Sequence, residues 1–128
     1  MNPNISRISQ AEFEVMKILW KACGPVPTGY ICQELFTELG WDRSTVRTLL
    51  KRLTEKGAVI TQKIQVLCYL PAISEKEYCD EQTKSFVQRL YGGSATRLVS
   101  SLVENYNLTE SDIEELRSLL KLEGEDNE

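Results

Sequence analysis

Seven residues between positions 43 and 52 have the side chains with which proteins hold nucleic acid: Arg43, Ser44, Thr45, Arg47, Thr48, Lys51 and Arg52. Arginine can bond a guanine edge through two parallel donors. Serine and threonine can bond phosphate or base, and the threonine methyl can meet a thymine methyl. Arg43 and Arg47 are four apart, so on a helix both point the same way. Lys51 and Arg52 follow a turn or two later and suit phosphate. Val46, Leu49, Leu50 and Leu53 recur at i, i+3, i+4 and i+7, the stripe that holds a helix to a core. One short segment thus has a face for packing and a face for recognition.

Catalytic chemistry finds no comparable support. The chain has no histidine, which removes the commonest general base, the commonest zinc ligand and any Ser/His or Cys/His pair. No glycine-rich phosphate loop and no carboxylate pair in a known motif occur. No catalytic residue, metal site or cofactor is therefore expected. The four cysteines, Cys23, Cys32, Cys68 and Cys79, show no Cys-x-x-Cys spacing. They read as reduced, partly buried thiols, with a thiol-responsive switch as the alternative.

Charge is distributed unevenly. Up to Ile73 there are nine Lys and Arg against six Asp and Glu; beyond it, six against thirteen, which together give the net charge of −4. Trp41 to Lys63 alone holds six cations, including Lys56 and Lys63, against Asp42 and Glu55. Positive charge concentrated inside an acidic protein is a directed field, and the acidic second part should face away from phosphates. Lys63 joins the candidate contact residues, and Lys56 is expected at most as a peripheral phosphate contact. With 128 residues, 41% hydrophobic and 27% charged, the chain has the makeup of a small globular protein. No apolar run approaches the ~20 residues of a membrane span. Met1-Asn2-Pro3-Asn4 lacks a signal-peptide pattern, so a cytoplasmic location is expected.

The recognition segment needs elements to position it. Ser9 and Glu12 form a capping-box pattern that opens a first helix, with Phe13, Met16, Leu19 and Trp20 at helical spacing. These four are read as core rather than as a ligand stripe. Gly24, Pro25 and Pro27 stop it. Thr28 is the expected N-cap of a second helix with Ile31, Leu35 and Leu39 inward, ended by Gly40. Asp42 or Ser44 caps the third, which carries the recognition face and stops at Gly57. Trp41 is read as packing the turn before it. Val59–Lys63 and Val66–Leu70 are β-prone and predict a hairpin closed by Pro71. Its connection, Ile64-Gln65, lacks Gly, Asn or Asp, so its register is left open. Ser74 with Glu77, Ser94, and Thr109 with Asp112 then open three further helices, and Gly92-Gly93 separates the first two. The acidic tail from Glu123 is expected to fray.

Three helices followed by a hairpin predict a winged helix-turn-helix, whose third helix enters the major groove. The fold class expected is mainly α. Residues 1–73 form the winged-helix DNA-binding domain and 74–128 a three-helix dimerisation domain. The second part is too small to bury its own apolar residues, among them Phe86, Leu90, Leu98, Leu102, Ile113, Leu116, Leu119 and Leu120. A second copy is the simplest cover, and a two-fold dimer reads an inverted repeat. The alternative in another class is a winged helix used as a protein-interaction module.

The chain also resembles a known family. Ile8-Ser9-Gln10-Ala11-Glu12-Phe13-Glu14-Val15-Met16-Lys17-Ile18-Leu19-Trp20 and the run from Thr45 to Gly57 are similar to the penicillinase repressors (BlaI/MecI-type), a family that also includes copper-responsive repressors. So are Tyr78, Ser85-Phe86, Arg89-Leu90-Tyr91-Gly92-Gly93 and Leu108 to Leu116. The resemblance implies a dimeric winged-helix repressor acting on double-stranded DNA with TACA/TGTA-type inverted repeats. In the antibiotic-responsive members, it implies control of β-lactam resistance genes. Repression there is relieved when a membrane sensor-transducer metalloprotease is acylated and the repressor is cleaved in its dimerisation region. The best-known members are cut at Asn-Phe; the matching positions here are Ser101-Leu102. The copper-responsive members carry Cys-x-Cys pairs near the C-terminus, and this chain has no cysteine after Cys79. Its wing lacks the glycine and extra cations common in the family.

Overall fold

The computed structural model describes residues 7–124. Met1–Asn4 and the end of the acidic tail lie outside them. Ser9 caps α1 (Gln10–Lys21): its hydroxyl accepts the Glu12 N–H, and the Glu12 carboxylate accepts the Ser9 N–H at 2.8 Å. Beyond α1, Val26 and Pro27 form a short strand, β1, absent from the sequence reading. It pairs antiparallel with the later hairpin, Val26 against Tyr69 and Pro27 against Cys68. A proline fits there because an edge position needs no outward N–H.

The second helix, α2 (Thr28–Leu39), corrects two expectations. Pro27 is its N-cap residue, and the Thr28 hydroxyl donates instead to the Leu67 carbonyl at 3.1 Å. Thr28 thus bonds to the sheet and leaves the helix end without a side-chain cap. Ile31, Cys32 and Leu35 are buried, but Leu39 is exposed, because the core face turns past it before the helix ends. Gly40 takes φ +73°, the left-handed conformation that closes a helix at little cost for glycine.

Asp42 caps α3 (Arg43–Glu55), accepting the Thr45 N–H at 2.9 Å. Val46, Leu49, Leu50 and Leu53 are all buried against α1 and α2. At the far end the Ala58 N–H donates to the Leu53 carbonyl, turning the chain into β2 (Val59–Ile64). This strand pairs antiparallel with β3 (Val66–Pro71), which lies between β1 and β2 in a three-stranded sheet. The register places Lys63 opposite Leu67 and Ile64 opposite Val66. Gln65 sits at the tip with φ +63°, the only non-glycine residue with positive φ among those described. That residue makes the turn that the dipeptide chemistry did not favour.

Ser74 and Glu77 cap one another to open α4 (Glu75–Tyr91). After Gly92-Gly93, Ser94 caps α5 (Ala95–Asn105), and Thr109 with Asp112 opens α6, which extends to Gly124. The chain divides into two compact units, 1–83 and 84–128, with the division inside α4. All of the core lies in the first: Val15, Met16, Leu19, Val26, Ile31, Leu35, the α3 stripe, Val59, Tyr69, Ile73 and Tyr78 among others. In the second, no residue from 84 to 121 is buried.

Candidate nucleic-acid interface

The buried stripe of α3 fixes which way its other residues face. Arg43, Ser44, Thr45, Arg47, Thr48, Lys51 and Arg52 are all exposed, as is Lys63 on β2. Arg43, Arg47 and Lys51 form one i, i+4 ridge, and Ser44, Thr48 and Arg52 form the next. From Arg43 to Lys51 the helix rises about 12 Å, close to the ~12 Å width of a B-DNA major groove. None of Arg43, Arg47, Lys51, Arg52 and Lys63 is ion-paired within the described residues. Their charge is left for an external anion.

The hydroxyls divide differently. Ser44 donates to the Asp42 carboxylate at 3.1 Å, and Thr48 donates to the Ser44 carbonyl at 2.9 Å. Both donors are spent within the helix, leaving oxygen acceptors facing outward. The Thr45 hydroxyl makes no such bond, while its backbone N–H completes the cap. That N–H, above all, holds the Asp42 carboxyl below its ordinary pKa, so the cap stays anionic at the helix N-terminus. Trp41 packs on the core next to this cap, and its backbone N–H donates to the Leu35 carbonyl at 3.3 Å.

Lys56 departs from the sequence expectation. It is the C-cap residue of α3, but its ammonium pairs with Glu12 and donates to the Arg7 carbonyl at 2.9 Å. It is a structural cation that neutralises a buried carboxylate. The signal for this was Glu12 at the third helical position, held inward by its cap. Lys63 is the single cation of the hairpin, whose apolar Ile60, Ile64, Val66 and Leu67 are exposed.

The second unit presents a separate surface. Phe86, Leu90, Leu102, Ile113, Leu116, Leu119 and Leu120 are exposed, from 38% at Phe86 to 73% at Leu120, and Leu98 is half-buried. Val99 and Val103, not singled out from the sequence, widen the apolar face of α5. Their i, i+4 spacing beside Leu98 and Leu102 was the available signal. Ser101 and Leu102 lie inside α5, where the Ser101 carbonyl accepts from the Asn105 amide at 2.8 Å. Cys23 and Cys79 are exposed, Cys32 and Cys68 buried, and all four are free thiols. No helix among the described residues is long and apolar enough to cross a membrane.

A family model of the penicillinase repressor matches residues 8–122. This chain belongs to the penicillinase repressor family. The penicillinase repressor of Bacillus licheniformis is 36% identical over 118 residues, covering 91% of each chain. The methicillin resistance regulatory protein MecI of Staphylococcus aureus (strain N315) is 32% identical over 121 residues, covering 94% of this chain and 98% of its own. Among solved structures, the DNA-binding domain of the repressor BlaI matches with a TM-score of 0.53 and 40% identity, over 58% of this chain and 90% of that one. Monomeric BlaI of Bacillus licheniformis in complex with the blaP half-operator matches with a TM-score of 0.50 and 40% identity, over 56% and 87%. As a member of the penicillinase repressor family, the chain has a mainly helical fold with a winged-helix N-terminal region.

Proposed function

We propose that the chain is a dimeric transcriptional repressor that occupies an inverted-repeat operator of TACA/TGTA type. The observation that carries this reading is the outer face of α3, where exposed, unpaired Arg43, Arg47, Lys51 and Arg52 lie opposite a fully buried stripe. Arg43 and Arg47, with Thr45, meet base edges; Lys51, Arg52 and Lys63 meet phosphate; Ser44 and Thr48 offer acceptors. The blaP half-operator bound to the Bacillus licheniformis relative supports DNA as the partner. In this reading the N-terminal winged helix binds and the C-terminal helices dimerise.

The dimer follows from burial. Residues 84–121 form amphipathic helices that bury no side chain of their own. A second copy laid on Phe86, Leu90, Leu98, Leu102, Ile113, Leu116, Leu119 and Leu120 removes that apolar surface from water, at roughly 25 cal/mol per Å². Two linked modules then bind one operator more tightly than either alone.

The regulated genes in this proposal are β-lactam resistance genes, and the signal is proteolysis triggered by a membrane sensor-transducer metalloprotease. Cutting between Ser101 and Leu102 would remove α6 and part of α5. Because that bond lies within a helix, α5 must unwind locally before a protease can reach it.

Sedimentation of the purified chain and operator binding across a salt series test the proposal. A dimer at micromolar concentration that prefers the inverted repeat over scrambled DNA is expected. A monomer indifferent to sequence overturns it. Exposure to the cognate sensor and inducer should shorten the chain at Ser101-Leu102; intact mass with unchanged operator binding would reject the proteolytic step.

A further inference from the structure

Strand β2 lies at the outside of the sheet. The order β1-β3-β2 pairs one of its edges with β3 and leaves the other without a strand among the described residues. An open edge is a row of main-chain donors and acceptors that another extended chain can join, and proteins usually blunt it with proline, a bulge or several charges. Here the pairing with β3 runs in unbroken register from Val59 to Ile64, so no bulge interrupts it. Residues 60–64 contain no proline or glycine and one charge, Lys63, and all five are exposed. Ile60, Gln62 and Ile64 share one face of the strand, Thr61 and Lys63 the other. Ile60 is 54% exposed and Ile64 50%, and Val66, opposite Ile64 on β3, extends the apolar strip across the hairpin.

The order of these side chains says what fits the edge. Read from either end, Ile60-Thr61-Gln62-Lys63-Ile64 runs apolar, polar, amide, polar, apolar. We infer that the open edge of β2 pairs antiparallel with β2 of a second copy about a two-fold axis at Gln62, joining the two sheets into one. In that register Ile60 lies opposite Ile64 of the partner subunit, and Thr61 opposite Lys63 of the partner subunit. The two Gln62 amides meet on the axis, where each can both donate and accept. Charge selects this register over its neighbours. An axis at Lys63 would set two ammonium groups face to face. An axis at Thr61 would set Ile60 against Gln62 and the buried Val59 against Lys63. The contact lies wholly in the N-terminal unit and does not depend on the C-terminal dimer. A strand of this length makes a weak contact by itself, one that forms at high protein concentration or between copies already held side by side.

Two measurements on the full-length chain test this. In a Cys23→Ser/Cys79→Ser background, which removes the exposed native thiols, Thr61→Cys and Lys63→Cys are mixed and oxidised. The mixed disulfide should dominate, because directly opposed Cα atoms lie about 5 Å apart. Either variant alone should link poorly, since its two copies are offset by two residues and lie about 8 Å apart. The same mixed disulfide should form when both chains also carry Leu116→Asp, which separates this contact from the C-terminal dimer. The second measurement is sedimentation at rising concentration. Gln62→Lys and Gln62→Glu each set like charges on the axis and should weaken the association about tenfold. Mixing the two should restore it to within about threefold of wild type. Cross-linking that is equal in the mixture and in the single variants overturns the register and the proposal with it. So does association that neither charge at position 62 alters, which would place the contact elsewhere. Charge variants that change affinity for duplex DNA but not self-association would assign the apolar strip to nucleic acid and overturn it as well.

Discussion

A single oxygen of the Glu12 carboxylate accepts both the Lys56 ammonium and the Ser9 backbone N–H. Glu12 is 1% exposed. The pair joins the first turn of α1 to the C-cap of α3, the helix that presents the candidate recognition face.

Removing the cation should cost more than removing the charge it balances. Lys56→Ala leaves a carboxylate buried without its partner and should destabilise the fold by about 3 kcal/mol, the low end for a broken buried pair because the ammonium is partly exposed. Glu12→Gln keeps a residue suited to the capping box and should cost less. The double variant Glu12→Gln/Lys56→Ala should cost less than the sum. Urea unfolding of the four proteins measures this; equal losses in both single variants would contradict it.

Acid should weaken the same link. Burial pushes the Glu12 carboxyl up, but the Lys56 and Ser9 hydrogen bonds and the Lys56 charge outweigh it, and the folded pKa lies below the ordinary glutamate value. The unfolded chain therefore binds the proton more readily. The contribution is fully present above the unfolded pKa of about 4.3 and is lost as pH falls through the lower folded value. The stability gap between wild type and Glu12→Gln should close over that acidic window in pH-dependent unfolding. A gap that widens with acid would show the opposite sign.

The tip of the hairpin holds a correctable strain. Gln65 occupies φ +63°, a conformation costing an L-residue roughly 1–2 kcal/mol that glycine avoids. After allowance for glycine's greater chain entropy, Gln65→Gly should stabilise by about 0.5 kcal/mol. Gln65→Val should destabilise by about 1 kcal/mol, since β-branching suits that region least. Thermal unfolding orders the three proteins.

Two cations on one ridge should behave differently. Arg47→Ala should cost about 1–3 kcal/mol on the operator and relax preference at one position. Lys51→Ala should weaken all sequences alike and reduce the salt slope by about one. Competition binding against cognate and scrambled duplexes separates them; identical profiles would remove the division between base and phosphate contacts.

A charge on the apolar C-terminal face should split the proposed dimer without unfolding the winged helix. Leu116→Asp should shift sedimentation toward monomer and reduce affinity for the inverted repeat toward that for a half-site. The N-terminal unit should keep its unfolding transition, because its core contains no residue beyond Tyr78. A dimer surviving both Leu116→Asp and Leu102→Asp would relocate the interface.

Local signals in the sequence carried far. Ser9, Asp42, Ser74, Ser94 and Thr109 each open the expected helix, because a cap needs only a hydroxyl or carboxylate at one end of a turn. The α3 stripe followed from period alone. What was missed depends on partners distant in the chain. β1 exists because Tyr69 and Cys68 offer it a strand to join, although Pro25-Val26-Pro27 already favoured extended backbone. The Thr28 hydroxyl was drawn away by Leu67, 39 positions on, and Lys56 by Glu12, 44 positions back. The outward α3 residues were legible for the same reason as the core: a buried stripe determines its complement.

The position of the last core residue has a further consequence. Every residue of the buried core has been synthesised by Tyr78. A cut anywhere in α5 or α6 would then leave a well-folded remnant with its cations intact. In the dimer proposed above, such damage would abolish valency while sparing the architecture. Under the proposed function, the cell would be left with a stable fragment to clear, one that still competes weakly for the operator until it is degraded or diluted by growth.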